Sequence, residues 1–208
     1  MSGSRLSDVA EDALELAVND AAEAQRIAAW LRDDGSFEEV VAGLASIVVR
    51  YDPTRCSRDV VAARLETGRA AAPIPEAAEA GPIDVPVRYG GGDGPDLDGL
   101  AGALGLSADE IVRRHASPLY TVDMIGFMPG FAYLSGLDPV LEAPRLAAPR
   151  QRVPAGSVGV SGLYAGIYAL GAPGGWPLIG RTPATLFNAE AANPFVLRPG
   201  ARVRFAPL

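Results

Sequence analysis

Short β-rich runs, broken at close intervals by glycine and proline, fill the chain from Leu119 to its end. The runs are YTVDMIGF, SVGVSG, GIYAL, PFVL and RVRFAP. A Pro199-Gly200 turn signal stands directly before the last predicted strand, Arg202–Ala206. Many short strands joined by tight turns are typical of an antiparallel barrel or sandwich. We therefore expect this part of the chain to form one of these two architectures.

Three further elements are expected ahead of these runs. Ile83–Tyr89 predicts a strand, and Asp96–Leu104 predicts a short helix. A second short helix is predicted over Ala108–Arg114, because Ser107 and Glu110 have the spacing of a capping box.

The first 70 or so residues mix strand and helix patterns. The predicted elements are a strand at Ala13–Val18, a helix at Asp20–Arg32, the two strands of a hairpin at Phe37–Val41 and Leu44–Tyr51, and a helix from Ser57 to about Glu66. This β-α-β-β-α order suits a small split-βαβ, ferredoxin-like sandwich. The Ala/Pro-rich stretch RAAAPIPEAAEAGP at residues 69–82 has no amphipathic period and predicts a linker. We expect an α+β protein with a small α/β domain and linker at 1–80 and a barrel domain at 81–208.

Composition excludes several classes of function. All 18 basic residues are arginine, so mechanisms that need a Schiff-base or P-loop lysine are excluded. The net charge of −7 argues against nucleic-acid binding. The single cysteine, Cys56, cannot form an internal disulfide, and the single histidine cannot build a multi-histidine metal site. MSGSRLSDVAEDALE lacks the apolar core of a signal peptide, and no apolar run reaches the length of a membrane span, so a cytoplasmic protein is expected.

Two glycine-rich segments are candidate binding loops. Residues 90–94, GGGDG, follow a predicted strand and suit either a phosphate-binding loop or a flexible turn. Gly126–Leu134, GFMPGFAYL, places three aromatic residues on a Gly-Pro turn, which suits either a ligand pocket or a packed barrel corner. Both alternatives stay open for each segment.

Polar side chains supply further candidates. His115 ends a predicted helix, where it suits a cap or surface position, or a general base or substrate clamp. Arg150, near Arg145 and Arg152, and Arg181 in GRTP suit either an anionic ligand or ordinary salt bridges.

The sequence also indicates where Trp176 and Asp123 lie. Trp176 in PGGW suits a pocket cover, an interface or the core. Asp123 lies opposite Val122 and Met124 in a predicted strand and is expected to face solvent.

Taken in order, several segments resemble one family. They are PVRYGGGDGPDL, RRHASPLYTV, GFMPGFAYL, PRQRVPAGSVGVSG, APGGWPLIGRTPATLF and RPGARVRF. Together they are similar to the B-subunit family of prokaryotic 5-oxoprolinase, which includes the KipI group and is also called allophanate hydrolase subunit 1. The resemblance covers nearly the whole chain and is strongest from about residue 83. It implies a small α/β domain followed by a cyclophilin-like barrel.

The resemblance also implies a function. The family member pairs with a larger C subunit, and with an A subunit the complex uses ATP to hydrolyse 5-oxo-L-proline to L-glutamate. ATP is expected to be bound by the complex and not necessarily by this chain. Two alternatives remain open, namely a KipI-like inhibitor of a histidine kinase and half of a urea-carboxylase-type carboxyltransferase.

Residues for such a site follow from the chemistry of a small carboxylate or amide substrate. Arg150 and Arg181 are expected to hold carboxylate or phosphate, and His115 to orient water or substrate. The expected substrate-binding residues are Gly130, Phe131, Ser157, Tyr164, Gly174, Gly175, Trp176 and Thr182. No metal ligands are expected. The chain departs from the family pattern at Tyr164, Ala165 and Ala172, which stand where the family has Gln, Thr and Ser.

Overall fold

Residues 5–73 and 81–208 are described by the structure, which is a computed structural model. The chain divides into two compact units, Met1–Ala78 and Glu79–Leu208. Residues 74–80 of the predicted linker lie outside the described residues, as do residues 1–4. No helix in the described ranges combines the length and the apolar composition needed to cross a bilayer.

The described residues of the first unit form a four-stranded antiparallel sheet and two helices. Its elements are β1 (Leu6–Ala10), β2 (Ala13–Ala17), α1 (Ala21–Asp34), β3 (Glu39–Ala42), β4 (Ser46–Arg50) and α2 (Arg58–Ala71). The strands lie in the order β1-β2-β4-β3. Alternate residues of β2 and β4 are buried with apolar residues of both helices, and this core includes Leu14, Leu16, Ile27, Leu31, Ile47, Val49, Val61 and Leu65.

Both helices of this unit begin as predicted. At the start of α1 the Asp20 carboxylate accepts the backbone N–H of Glu23 at 2.8 Å. Helix α2 continues past the predicted end at Glu66 to Ala71. Arginine and alanine favour a helix over these added residues, and Pro73 disfavours helical backbone just before it.

The ferredoxin-like topology is not confirmed. A ferredoxin-like sandwich has a strand after its second helix. Here the sheet position next to β2 is taken by β1, which comes before it and was not predicted from the sequence. The two strands are joined by a tight hairpin turn, which is the shortest way to add a neighbour to β2.

The second unit contains the barrel. Its helices are α3 (Leu97–Leu104) and α4 (Ala108–Ala116), with a 3₁₀ turn at Pro139–Leu141. Its strands are β5 (Ile83–Tyr89), β6 (Tyr120–Ile125), β7 (Ala132–Ser135), β8 (Arg150–Val153), β9 (Ser157–Ser161), β10 (Tyr164–Ile167), β11 (Ala172–Gly174), β12 (Leu178–Arg181) and β13 (Arg202–Pro207). The PFVL run is not a strand and makes only an isolated bridge between Phe195 and Phe187.

Seven strands close into a barrel in the order β10-β7-β6-β13-β5-β12-β9. The prediction of an antiparallel barrel was only partly right. Strand β13 runs parallel to β5, with Val203 opposite Ile83. Parallel neighbours need a long crossover, and here nearly the whole unit lies between the two strands. Strands β8 and β11 form a separate antiparallel pair. The chain is therefore an α+β protein with a closed β-barrel.

Candidate functional site

A cavity of about 500 Å³ lies in the barrel unit. Strand β5 and the turn after it contribute Arg88 and Asp93, and strand β12 and the residues after it contribute Arg181, Thr182 and Thr185. The remaining lining residues are Ala155, Gly156, Ala169, Leu170, Pro183, Ala184 and Phe187. The cavity therefore combines charged, hydroxyl and apolar groups within one unit.

The pairing of β5 with β12 brings two arginines together. Arg181 lies directly opposite Arg88 in the antiparallel register. The approach of these strands depends on Gly180, where an added Cβ would lie 2.7 Å from the Val87 Cγ1 atom. Like charges directly opposite one another destabilise a sheet unless an anion neutralises them. The Arg181 Nε atom donates to the Ala155 carbonyl at 2.9 Å, which orients the guanidinium group.

One wall of the cavity is held by tight backbone contacts at Gly156. Its N–H donates to the Tyr168 carbonyl at 2.7 Å, and its carbonyl accepts the Thr182 N–H at 2.8 Å. Gly156 has a φ of +82°, and an added Cβ would lie 2.3 Å from the Thr182 carbonyl oxygen. Thr182 is buried, and its Oγ1 accepts the Ala184 N–H at 3.1 Å. This wall has no space for a side chain at position 156.

The glycine run at 90–94 forms a packed turn. Gly90 donates its N–H to the Ile179 carbonyl at 3.1 Å, and Asp93 donates its own to the Gly90 carbonyl at 3.2 Å. An added Cβ at Gly94 would lie 2.1 Å from the Ile179 oxygen, so the turn is pressed against β12. The run is therefore a turn packed against β12, and Asp93 is its residue that lines the cavity.

The aromatic segment Gly126–Leu134 packs behind the cavity. Phe131 is buried, with its ring centroid 4.9 Å from that of Tyr168 and 5.5 Å from that of Trp176, both in edge-on geometry. Gly130 has a φ of +78°, and an added Cβ would lie 2.8 Å from the Cβ atoms of Ala169 and Phe187, which line the cavity. The structure thus places Phe131 and Trp176 in a packed corner, and Gly130 behind the cavity wall.

Gly174 and Gly175 lie beside this aromatic cluster. An added Cβ at Gly174 would lie 2.3 Å from the Tyr168 hydroxyl, so this glycine makes room for the tyrosine ring. Gly175 accepts the Leu146 N–H at 2.7 Å. Neither glycine lines the cavity.

Arg150 is already paired in this structure. Its Nη2 donates to the Asp96 carboxylate at 2.6 Å, and the same carboxylate accepts the Leu178 N–H at 2.7 Å. Asp96 therefore ties the start of α3 to β8 and β12. Arg150 does not line the cavity.

Asp123 was predicted to face solvent, but in the structure it is half-buried. It lies at an irregularity in the β6–β7 pairing, between Val122 and Met124. Its carboxylate accepts the Ser135 hydroxyl at 2.7 Å and the Tyr164 hydroxyl at 3.1 Å. Burial, with Asp123 alongside, raises the pKa of Tyr164 to about 12. The tyrosine that departs from the family pattern thus bonds to Asp123 and does not line the cavity.

His115 is fully buried in the barrel core and not at the surface. Its Nδ1 shares a 2.8 Å hydrogen bond with the Tyr89 hydroxyl, and its ring centroid lies 4.4 Å from that of Phe205. Its Nε2 has no hydrogen-bond partner among the described residues. Burial lowers the pKa of His115 to about 3, so the ring is neutral at pH 7. The structure does not bring His115 to the cavity.

We expect His115 to make stability depend on pH. The pKa of its ring falls from 6.5 to about 3 on folding, so its contribution is complete above pH 6.5 and is lost progressively as the pH falls toward 3. Between pH 6.5 and pH 5 the free energy of unfolding should fall by about 1.5 kcal/mol. Urea titrations over this range should show this decline, and His115→Gln should flatten it.

The chain contains no other histidine, which makes the assignment clear. Unpaired carboxylates titrate mostly below pH 5, outside the range of the measurement. An equal decline in the wild type and in His115→Gln would contradict the buried neutral ring.

Of the residues predicted to form a site, the structure brings Arg181 and Thr182 to the cavity. Ser157 is buried and follows Gly156 directly, opposite Arg181 in the β9–β12 register. Sequence reasoning missed Arg88 and Gly156 as cavity residues, and it named residues 90–94 as a candidate binding loop without singling out Asp93. Alternation in β5 could have found Arg88, because Val85 and Val87 point into the core and Arg88 therefore points out of it. Only the strand register shows that it faces Arg181.

The chain matches the family model described as carboxyltransferase domain, subdomain C and D, over residues 4–197. The 5-oxoprolinase B subunit of Escherichia coli O157:H7 is 50% identical over 125 residues, which are 60% of this chain and 57% of that protein. The 5-oxoprolinase B subunit of Bacillus subtilis is 46% identical over 123 residues, which are 59% of this chain and 51% of that protein. The chain thus matches just over half of the length of these curated relatives.

Solved structures share the fold. The crystal structure of TTHA0988 is 36% identical with a TM-score of 0.79, and covers 94% of this chain and 40% of that one. PH0987 from Pyrococcus horikoshii, described as a conserved uncharacterized protein, is 36% identical with a TM-score of 0.61, over 98% of this chain and 97% of that one. Kluyveromyces lactis urea carboxylase is 15% identical with a TM-score of 0.74, over 98% of this chain and 21% of that one.

Proposed function

This chain belongs to the family of the carboxyltransferase domain, subdomain C and D, and from that premise we propose that it is the B-type subunit of an ATP-dependent 5-oxoprolinase. The observation that carries the proposal is the 46–50% identity to three proteins named as the B subunit of 5-oxoprolinase. The likeness to urea carboxylase, at 15% identity, concerns the fold alone and favours no carboxyltransferase activity.

The proposed reaction converts 5-oxo-L-proline, ATP and two water molecules to L-glutamate, ADP and phosphate. A lactam carbonyl is a poor electrophile, and transfer of the γ-phosphoryl group of ATP to its oxygen, with release of ADP, activates the ring carbon. Water then attacks this carbon, the C–N bond breaks with the nitrogen taking a proton, and a second water releases phosphate. Transfers of this kind depend on positioned positive charge and hydrogen-bond donors.

The proposed contribution of this chain is to hold the substrate in the barrel cavity. Arg181 and Thr182 line it, and the Arg181 guanidinium group is oriented by Ala155. Arg150, which is bonded to Asp96, instead stabilises the barrel. ATP is assigned to the complex as a whole. We also propose that residues 1–80 are an N-terminal domain with its linker and that residues 81–208 are the barrel domain.

The proposed partners are a C subunit and an A subunit in a cytoplasmic complex. Phe127 supports a protein contact on the barrel unit, because this large apolar residue is 62% exposed. Its backbone φ of +66° is unusual for a bulky residue, and such strained conformations cluster at functional sites.

The proposal is tested by ADP release from a complex reconstituted with the A, B and C subunits. We expect release that depends on 5-oxo-L-proline and that disappears when this chain is omitted. An assembled complex that releases no ADP with 5-oxo-L-proline would refute the proposed substrate. Separate elution of this chain and its C companion from a sizing column after co-expression would refute the proposed partner.

A further inference from the structure

We propose that the cavity recognises a small acid whose carboxylate lies beside a ring N–H, with Arg88 and Arg181 on the carboxylate and Asp93 accepting from the N–H. This inference rests on the proposed function and assigns its substrate recognition to three side chains. Of these, Arg88 was not a candidate in the sequence, and Asp93 was included only as part of the glycine-rich segment 90–94.

The arginine pair points to an oxyanion. Arg88 and Arg181 lie directly opposite each other on β5 and β12, and both side chains line the cavity. The only hydrogen bond of the two guanidinium groups within the described ranges goes from the Arg181 Nε atom to the Ala155 carbonyl, and neither forms an ion pair there. Two adjacent cations without a counter-ion repel each other, and a bound carboxylate relieves that repulsion through several charge-assisted hydrogen bonds.

Asp93 points to an N–H group on the same ligand. The packed glycine turn holds it at the cavity, because Gly90 donates its N–H to the Ile179 carbonyl and Gly94 packs directly against the same residue. Although two arginines line the same cavity, the Asp93 carboxylate forms no ion pair with either in the structure. An ionised carboxylate only accepts hydrogen bonds, so it disfavours a phosphate and favours an N–H donor.

Thr182 adds a donor to this arrangement. Its Oγ1 already accepts the Ala184 N–H, so its hydroxyl hydrogen remains to be donated. Two cationic groups, one carboxylate and one hydroxyl donor together match a lactam acid, which has a carboxylate, a ring N–H and a carbonyl oxygen. A cavity of about 500 Å³ holds a ligand of that size.

The test is equilibrium dialysis of the assembled complex, without ATP, against three probes. They are 5-oxo-L-proline, 2-pyrrolidinone, which lacks the carboxylate, and the lactone acid 5-oxotetrahydrofuran-2-carboxylate, which has a ring oxygen in place of the N–H. We expect the wild type to bind the lactam acid at least tenfold more tightly than either analogue. Inorganic phosphate is added as a competitor.

The variants separate the two halves of the recognition. Arg88→Gln should weaken binding of 5-oxo-L-proline by at least tenfold and leave binding of 2-pyrrolidinone unchanged. Asp93→Ala removes the acceptor and should abolish the preference for the lactam over the lactone. Arg202→Gln, an exposed arginine on β13 that does not line the cavity, is the matched control and should bind like the wild type. Circular dichroism spectra identical to that of the wild type would show that the variants fold.

Three results would overturn the inference. They are wild-type affinity in Arg88→Gln, a retained lactam preference in Asp93→Ala, and displacement of 5-oxo-L-proline by phosphate at equal concentration. ADP release separates this inference from the proposed function. If the complex releases ADP but binds 5-oxo-L-proline equally well without Arg88 or Asp93, only the proposed recognition is refuted. If 5-oxo-L-proline binds as expected but the complex releases no ADP, only the proposed hydrolase activity is refuted.

Discussion

Replacement of Arg181 by glutamine is expected to lower kcat/KM for 5-oxo-L-proline by about 100-fold in the reconstituted complex, equivalent to about 2.7 kcal/mol. The guanidinium group lines the cavity and is oriented by its bond to the Ala155 carbonyl, and glutamine supplies neither the charge nor the paired donors. Since this arginine is proposed to hold the substrate carboxylate, the effect should be mainly a higher KM. Steady-state ADP release over a range of 5-oxo-L-proline concentrations measures both parameters.

Two comparisons make the Arg181 result specific. Arg202→Gln removes an exposed arginine from β13, outside the cavity, and should leave kcat and KM unchanged. Arg181→Lys keeps the charge without the planar fork, so it should recover only part of the lost kcat/KM. An unchanged kcat/KM in Arg181→Gln would show that the substrate carboxylate is bound elsewhere.

Replacement of Gly156 by alanine is expected to destabilise the barrel unit by about 4 kcal/mol. The residue has a φ of +82°, which a side chain disfavours, and the added Cβ would lie 2.3 Å from the Thr182 carbonyl oxygen. Relief of that clash would separate Gly156 from Thr182 and break the 2.8 Å bond between them. Chemical denaturation followed by circular dichroism measures the loss.

Gly200→Ala is a matched control for this prediction. Gly200 has a nearly identical φ of +84°, but an added Cβ would meet nothing within 4 Å. This variant should lose about 1.5 kcal/mol, from the backbone conformation alone. Equal losses in the two variants would mean that the contact between Gly156 and Thr182 does not constrain the cavity wall.

Local patterns predicted most of the secondary structure. Asp20 and Ser107 begin the helices that they were expected to cap, and the strands at residues 13, 83 and 120 start where the sequence indicates. These signals depend on neighbouring residues only, because a helix cap or an alternation of apolar and polar residues spans only a few positions. The end of α2 was wrong by one turn, since its alanines fit a helix as well as a linker.

Predictions that depended on distant partners were less successful. His115 was expected at the end of a helix and open to solvent or substrate, but the packing of α4 on the barrel buries it beside Phe205. Asp123 was expected to be exposed, but Tyr164 and Ser135 reach it from neighbouring strands. The burial of both residues depends on contacts with parts of the chain that are distant in sequence, so local patterns do not reveal it.

Composition and local patterns were enough to establish the β-rich character of the second unit, the exclusion of lysine chemistry and the likeness to one component of 5-oxoprolinase. The tertiary structure alone decided which polar side chains share a cavity. Arg88 and Arg181 are 93 positions apart in the chain and become neighbours only through the register of β5 and β12. The physical reason is that capping and alternation are local interactions, whereas strand register is set by packing of the whole barrel core.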